Sequence, residues 1–181
     1  IQRGILRRCE TAMARRVVVT GMGVVSPLGN DIQTYWENLC EGKSGIRRIK
    51  SFDPTGLEVT IAGECEDCVP AGMSPKEIRR RDRYTLFALY AADQAWAHAG
   101  IDIDRECPER CGVVFGSGVG GLRTIEEQHR LFIAEGPKKV SPMLLPKFLS
   151  NMAAGELAIR YGLRGPNKAV VTACASGAQS L

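Results

Sequence analysis

The sequence predicts an α/β fold: a layered, mostly parallel sheet with helices on both faces. Three apolar, β-branched runs carry this expectation: "RRVVVTGMG" at 15–23, "CGVVFGSG" at 111–118 and "KAVVTA" at 168–173. Each reads as a buried parallel strand, and the first two end in glycine turns. Between them lie segments of helical periodicity, and strands that alternate with helices form parallel sheets with crossover helices.

Taken in order, the first run leads to Asn30-Asp31, which cap a short helix with Ile32, Tyr35, Trp36 and Leu39 on one face. Gly42 stops it. Residues 43–73 read as loop, rich in glycine and proline, with only weak alternation at "LEVTIAGE". "SPKE" at 74–77 is a capping box with proline at the first helical position. It is expected to open one long helix through "RYTLFALYAADQAWAHAG" to Gly100. After the second strand, "LRTIEEQHRLFIAEGP" is an amphipathic helix with Leu122, Ile125, His129 and Phe132 in register, ended by Gly136-Pro137. "SPMLLPKFLSNMAAGELAIRYG" holds one or two helical pieces that end at Gly162. The third strand then delivers Cys174.

The chain has 181 residues, 44% of them hydrophobic, enough for one sizeable core. A formal charge of +4 is too mild for a dedicated nucleic-acid binder. No apolar run approaches the ~20 residues of a membrane helix. Seven cysteines, an odd count without a signal peptide, point to reduced thiols. The expected setting is soluble and cytoplasmic. Residues 1–14 are Arg-rich, open on Ile1 and lack periodicity, so they read as an extension. A tag, or sequence upstream of a start at Met13, fits them better than a transit-peptide remnant. Residues 15–181 form one domain, expected to be incomplete because the chain stops one turn past Cys174.

Several stretches suggest chemistry. "GSGVGG" fits G-x-G-x-x-G at Gly116, Gly118 and Gly121, after a strand and before a helix. A dinucleotide site also wants an acidic residue about twenty positions on. That region reads "KKVSPMLLP", so a tight turn with close backbone approach is the better reading. Cys65-x-x-Cys68 and Cys107-x-x-x-Cys111 raise a zinc site, but Cys111 enters a strand, and incidental thiols fit better. No metal or cofactor is expected. His98 and His129 lie in no metal or catalytic motif.

Cys174 differs. An extended β-branched run carries it to the carboxyl edge of the sheet, where open α/β folds place ligands. Ala173, Ala175, Ser176, Gly177 and Ala178 are small enough for a sharp strand-to-helix turn that leaves the sulfur accessible. A helix N-terminus there favours thiolate and aims backbone amides at a developing oxyanion. The bland alternative is a small buried cysteine in a tight bend.

From "RRVVVTGMGVVSPLGN" through "GKSGI", "FGSGVGGL", "GPKKVSPMLLPKFLSNMAAGELAIRYGLRGP" and "TACASG", the chain resembles the amino-terminal half of the β-ketoacyl-acyl carrier protein synthases of elongating type II. The match runs from about Arg15 to Leu181, and the first dozen residues have no counterpart. The resemblance implies a thiolase-like fold, of which this chain is the first of two α/β halves. It implies a homodimer when full length, with "NKAVVT" matching the strand that pairs across it. It also implies that Cys174 accepts the acyl group and that its amide is one oxyanion donor. Val119, Leu144, Leu145 and Ala173 match positions lining the acyl tunnel. Lys76, Arg79, Arg80, Lys138 and Lys139 match the surface that docks acidic acyl carrier protein. The two catalytic histidines, a lysine and a second glycine-rich loop would come from the other half; neither His98 nor His129 matches them. A polyketide or specialised-lipid ketosynthase is the alternative. A non-catalytic chain-length-factor-like subunit is disfavoured by the intact cysteine.

Overall fold

A computed structural model describes residues 16–181. The extension expected at 1–14, together with Arg15, lies outside the described residues. The chain forms α1 (Ile32–Cys40), β1 (Ile46–Arg48), β2 (Ile61–Gly63), α2 (Pro75–Arg79) and α3 (Arg83–Ala99). It continues with β3 (Val113–Gly116), α4 (Leu122–Glu135), α5 (Leu144–Phe148), α6 (Met152–Tyr161), β4 (Asn167–Val170) and α7 (Ser176–Gln179).

Local signals place most of these boundaries. Asp31 caps α1, its carboxylate accepting from the Thr34 N–H at 2.8 Å. Ser74 and Glu77 complete the capping box of α2, with Pro75 in the first turn. Gly100 and Gly162 close α3 and α6 in the left-handed conformation, at φ 64° and 66°. The sheet that matters is β3 beside β4, parallel, in the register Val113↔Asn167 to Gly116↔Val170. A second, antiparallel pair joins β1 to β2.

The structure departs from three expectations. The first concerns "RRVVVTGMG". From Arg16 to Gly23 it forms no ladder, and Val17 is 89% exposed. Apolar character selects a face for burial but cannot supply the neighbouring strand. This segment is instead tied to side chains of α3. Met22 N–H donates to His98 Nδ1 at 3.2 Å, and Gln94 bonds both the N–H and the carbonyl of Val24. Secondly, the long helix from Ser74 to Gly100 is two helices broken at Arg80–Asp82. The Asp82 carboxylate accepts from the Tyr84 N–H and from the buried Thr124 hydroxyl on α4, which makes a new N-cap more favourable than a continued helix. Thirdly, the stretch read as loop at 43–73 contains the β1–β2 pair, and the second and third strands are only partly buried. Val114 and Val171 remain about half exposed.

The core sits between α3 and α6. Leu89 and Thr85 of α3 are 1% and 2% exposed, while Ala153 and Ala154 of α6 are fully buried and lack bulk, so the helices approach closely. Burying Leu89 contributes on the order of 2 kcal/mol. The rim is polar. Asp93 takes a two-pronged ion pair from Arg160 at 2.7 Å and a hydrogen bond from the Tyr161 hydroxyl, and Trp96 stacks on Tyr161 at 4.3 Å. Arg81 closes on Glu156 at 2.6 Å.

Two predictions follow from this packing. Asp82→Ala removes the α3 cap and leaves the Thr124 hydroxyl buried without its acceptor. It is expected to cost about 1–3 kcal/mol in urea unfolding, with Asp82→Asn losing less; a wild-type midpoint in Asp82→Ala contradicts this role. Burial and the bond to Asp93 push the Tyr161 phenol up from 10.0 to about 12. Because the folded value lies above the unfolded one, its contribution is complete below about pH 10 and is lost as the pH rises toward 12. In alkaline absorbance titration Tyr161 should therefore ionise late, with Tyr161→Phe removing that late transition.

Candidate active site

Because β3 and β4 are parallel and in register, their carboxyl ends lie side by side. The loop Ser117–Gly121 and the turn carrying Cys174 therefore leave the same edge of the sheet. The two are packed backbone on backbone. A Cβ on Gly116 would lie 2.3 Å from the Ser176 carbonyl oxygen, and one on Gly118 would touch the Ala173 carbonyl. Gly120 adopts φ 85°, with the Phe148 carbonyl 2.4 Å from where its Cβ would be. The loop is fastened at three points. Gly120 N–H donates to Ser117 Oγ at 3.0 Å, Gly121 N–H to the Phe148 carbonyl at 2.9 Å, and Ser150 Oγ to the Val119 carbonyl at 3.1 Å. Two of the amides that a pyrophosphate would need are thus already bonded, and the glycines serve close approach, as the second reading of "GSGVGG" expects.

Cys174 is exposed and lies in a 3-10 turn, Ala173–Ala175, between β4 and α7. Ala173 has φ 49°, the one non-glycine residue with positive φ among the described residues. Such a conformation costs about 1–2 kcal/mol, so the surroundings must hold it. The sharp strand-to-helix turn and the accessible sulfur agree with the sequence reading. Cys174 lies within the 3-10 turn, and α7 begins two residues after it, at Ser176. What sets this thiol apart is its place on the positive-φ turn at the carboxyl edge of the sheet.

Cys40 and Cys107 are exposed as well, whereas burial holds back Cys65 and Cys68. Cys68 is buried, bonds the Glu66 carbonyl at 3.4 Å, and has its thiol pushed up by burial; burial also raises Cys65. Thiols held protonated in this way are poor nucleophiles. Cys107 is engaged with the Glu109 carboxylate. No group of three or more potential metal ligands forms among the described residues.

Of the four positions matched to an acyl tunnel, Ala173 and Val119 lie on the two segments that meet at Cys174. Leu144 and Leu145 lie elsewhere, lining a hollow of about 390 Å³ between α4 and α5 with Ile125, Phe132, Val140 and Phe148. His129 belongs to that hollow, and His98 holds the Met22 amide. Lys76, Arg79 and Arg80 are exposed around α2, and Lys138 and Lys139 are exposed just after α4. Only Lys139 of these is in an ion pair among the described residues, with Glu135 at 3.4 Å. The residue that sequence reasoning undervalued is Ser176. It counted there only as small, yet it is 3% exposed and its hydroxyl bonds three backbone groups. Its partners are all backbone groups, so no spacing of side chains marked it in the sequence.

Gly116→Ala is predicted to push the Cys174 turn off β3, lowering stability by about 1–3 kcal/mol and altering the iodoacetamide rate of Cys174. Gly155→Ala, whose added Cβ meets nothing within 4 Å on helix α6, should be neutral or slightly stabilising. Thermal melts and peptide-resolved alkylation check both; equal behaviour of the two variants would refute the contact.

Residues 14–181 match the model of the β-ketoacyl synthase N-terminal domain. The chain is 43% identical over 168 residues to 3-oxoacyl-acyl-carrier-protein synthase 2 of Coxiella burnetii, covering 92% of this chain and 41% of that protein. It thus spans about two fifths of the length of that relative. Among solved structures, a β-ketoacyl synthase from Burkholderia phymatum superposes with a TM-score of 0.76 at 27% identity, covering 91% of this chain and 41% of that one. The ishigamide ketosynthase/chain length factor does so with a TM-score of 0.76 at 28% identity, covering 87% and 40%. These structures share the thiolase-like fold that the sequence implied. With this fold and that match across nearly all its length, the chain belongs to the β-ketoacyl synthase family and carries the family's N-terminal domain.

Proposed function

We propose that this chain is the acyl-accepting part of a β-ketoacyl-acyl carrier protein synthase of the elongating type II, acting in fatty-acid synthesis. The observation that carries the reading is the exposed Cys174 on a strained turn at the sheet's carboxyl edge. In the first half-reaction the Cys174 thiolate attacks an acyl-carrier thioester. The new C–S bond forms as the bond to the carrier's sulfur breaks. That sulfur leaves as thiolate and takes up the proton that Cys174 gave up, and the Cys174 amide donates to the oxyanion. In the second, malonyl-carrier loses carbon dioxide and its enolate carbon attacks the acyl-Cys174 carbonyl. A carbon–carbon bond forms, and the Cys174 sulfur is released. No cofactor enters either step.

The exposed cations Lys76, Arg79, Arg80, Lys138 and Lys139 suit an acidic acyl carrier protein, the group that the Coxiella relative's name specifies. Val119 and Ala173 would start the acyl tunnel at the sulfur, with Leu144 and Leu145 contributing from α5. β4 is an outer strand among the described residues, and its free edge suits pairing with a second copy in a homodimer. No described helix is long and apolar enough to cross a membrane, in keeping with a cytoplasmic enzyme. The ishigamide likeness supports a second reading, a polyketide or specialised-lipid ketosynthase with the same first step.

Incubation with acyl-carrier protein of several chain lengths should add the acyl mass to the Cys174 peptide and to no other, with Cys174→Ala unlabelled. Absence of label at Cys174 would contradict the reading. A preference for polyketide-type acyl groups would favour the second. This chain alone should release no condensation product, since His98 and His129 are committed away from the Cys174 turn. Reversing Lys76, Arg79 and Arg80 to Glu should weaken carrier binding by about tenfold and flatten its salt dependence.

A further inference from the structure

We propose that Ser176 is a positioning residue for Cys174, its hydroxyl locking the two backbone units between which the nucleophile's turn is made. The proposal deepens the acyl-acceptor reading and rests on it for its catalytic meaning. The Ser176 hydroxyl accepts from the Thr172 N–H at 2.8 Å and donates to the Ala173 carbonyl at 2.7 Å. The Ser117 carbonyl stands farther off at 3.3 Å. One hydroxyl proton serves one good acceptor, so the shorter contact to Ala173 takes it and Ser117 receives the remainder.

The geometry of these two bonds explains their consequence. The Thr172 N–H belongs to the Val171–Thr172 peptide plane just past β4, and the Ala173 carbonyl belongs to the plane that leads into Cys174. Only the backbone torsions of Thr172 and Ala173 lie between them, and these are the unusual ones: Thr172 at φ −135°, ψ 42° and Ala173 at φ 49°. A single side chain that holds both planes restricts how these four torsions can move together. The second plane also sets the direction in which the Cys174 Cα–Cβ bond leaves the turn. Ser176 is itself immobilised: it is 3% exposed, and its carbonyl sits against the side-chain-free Gly116. Without the hydroxyl, the Thr172 N–H is left bare and Ala173 is free to relax toward negative φ. The sulfur would then still meet small reagents but would point differently at a carbonyl.

The test compares wild type, Ser176→Ala and Ser176→Thr in three readouts on Cys174 and its turn. Ser176→Ala should slow acyl transfer from acyl-carrier protein to Cys174 by about tenfold or more, since misplacement by a fraction of an ångström is costly in such a step. Its iodoacetamide rate at Cys174 should stay within about twofold, because a small alkylating agent imposes little orientation. Amide exchange at Thr172 should accelerate by about tenfold or more. Ser176→Thr, which keeps the hydroxyl, should recover most of both losses. Should Ser176→Ala fail to fold, Ser176→Cys, similar in size with a weak donor, makes the same comparison. Unchanged Thr172 exchange, or acyl transfer at the wild-type rate in a folded variant, overturns the proposal. A wild-type chain that accepts no acyl group would sink the acyl-acceptor reading instead, while Thr172 exchange still decides whether Ser176 holds the turn.

Discussion

The arrangement around Cys174 depends on one contact between two pieces of backbone. β3 and the turn after β4 lie so close that no side chain fits between Gly116 and the Ser176 carbonyl. Parallel pairing brings the two strand ends level, and the missing Cβ lets the second turn fold back over the first. With that approach made, the chain after β4 cannot continue straight. It bends within Thr172 and Ala173, and the bend is what brings the sulfur outward. A positive φ at an alanine is uphill by itself, so it persists only where packing and hydrogen bonds hold both sides of it.

Behind the edge, the helices act as a frame. α6 packs on β3 and β4 and on α3, with Leu89 of α3 and Ala153 and Ala154 of α6 buried. Asp82 links two helices through one carboxylate, capping α3 and receiving the Thr124 hydroxyl of α4. Beside it, Gly121 opens α4 and bonds the end of α5 through the Phe148 carbonyl. The glycine loop is thereby held from its α4 end as well as against the Cys174 turn. A shift in helix packing would reach Cys174 through this loop.

What could be read from the sequence was what is decided locally. The capping box at Ser74 and Glu77, the Asp31 cap and the left-handed Gly100 and Gly162 ends depend on a few neighbouring residues, and the sequence displays those directly. The exposed turn at Cys174 was legible because only small residues surround it. The break at Asp82 was not, since its second partner, Thr124, lies 42 residues away. Nor was the unpaired state of Val17–Val19, because an apolar run carries no record of which strand adjoins it. Ser176 was legible as a small residue but not as a clamp, since the targets of a hydroxyl depend on how the chain bends around it.

The most direct test is the backbone conformation of Ala173 in solution, from NMR couplings and the intraresidue amide-to-Hα distance. A torsion near φ 49°, with the Cys174 thiol open to solvent, is what this account predicts. An ordinary negative φ, with the strand running on past Thr172 and the sulfur turned inward, would contradict it.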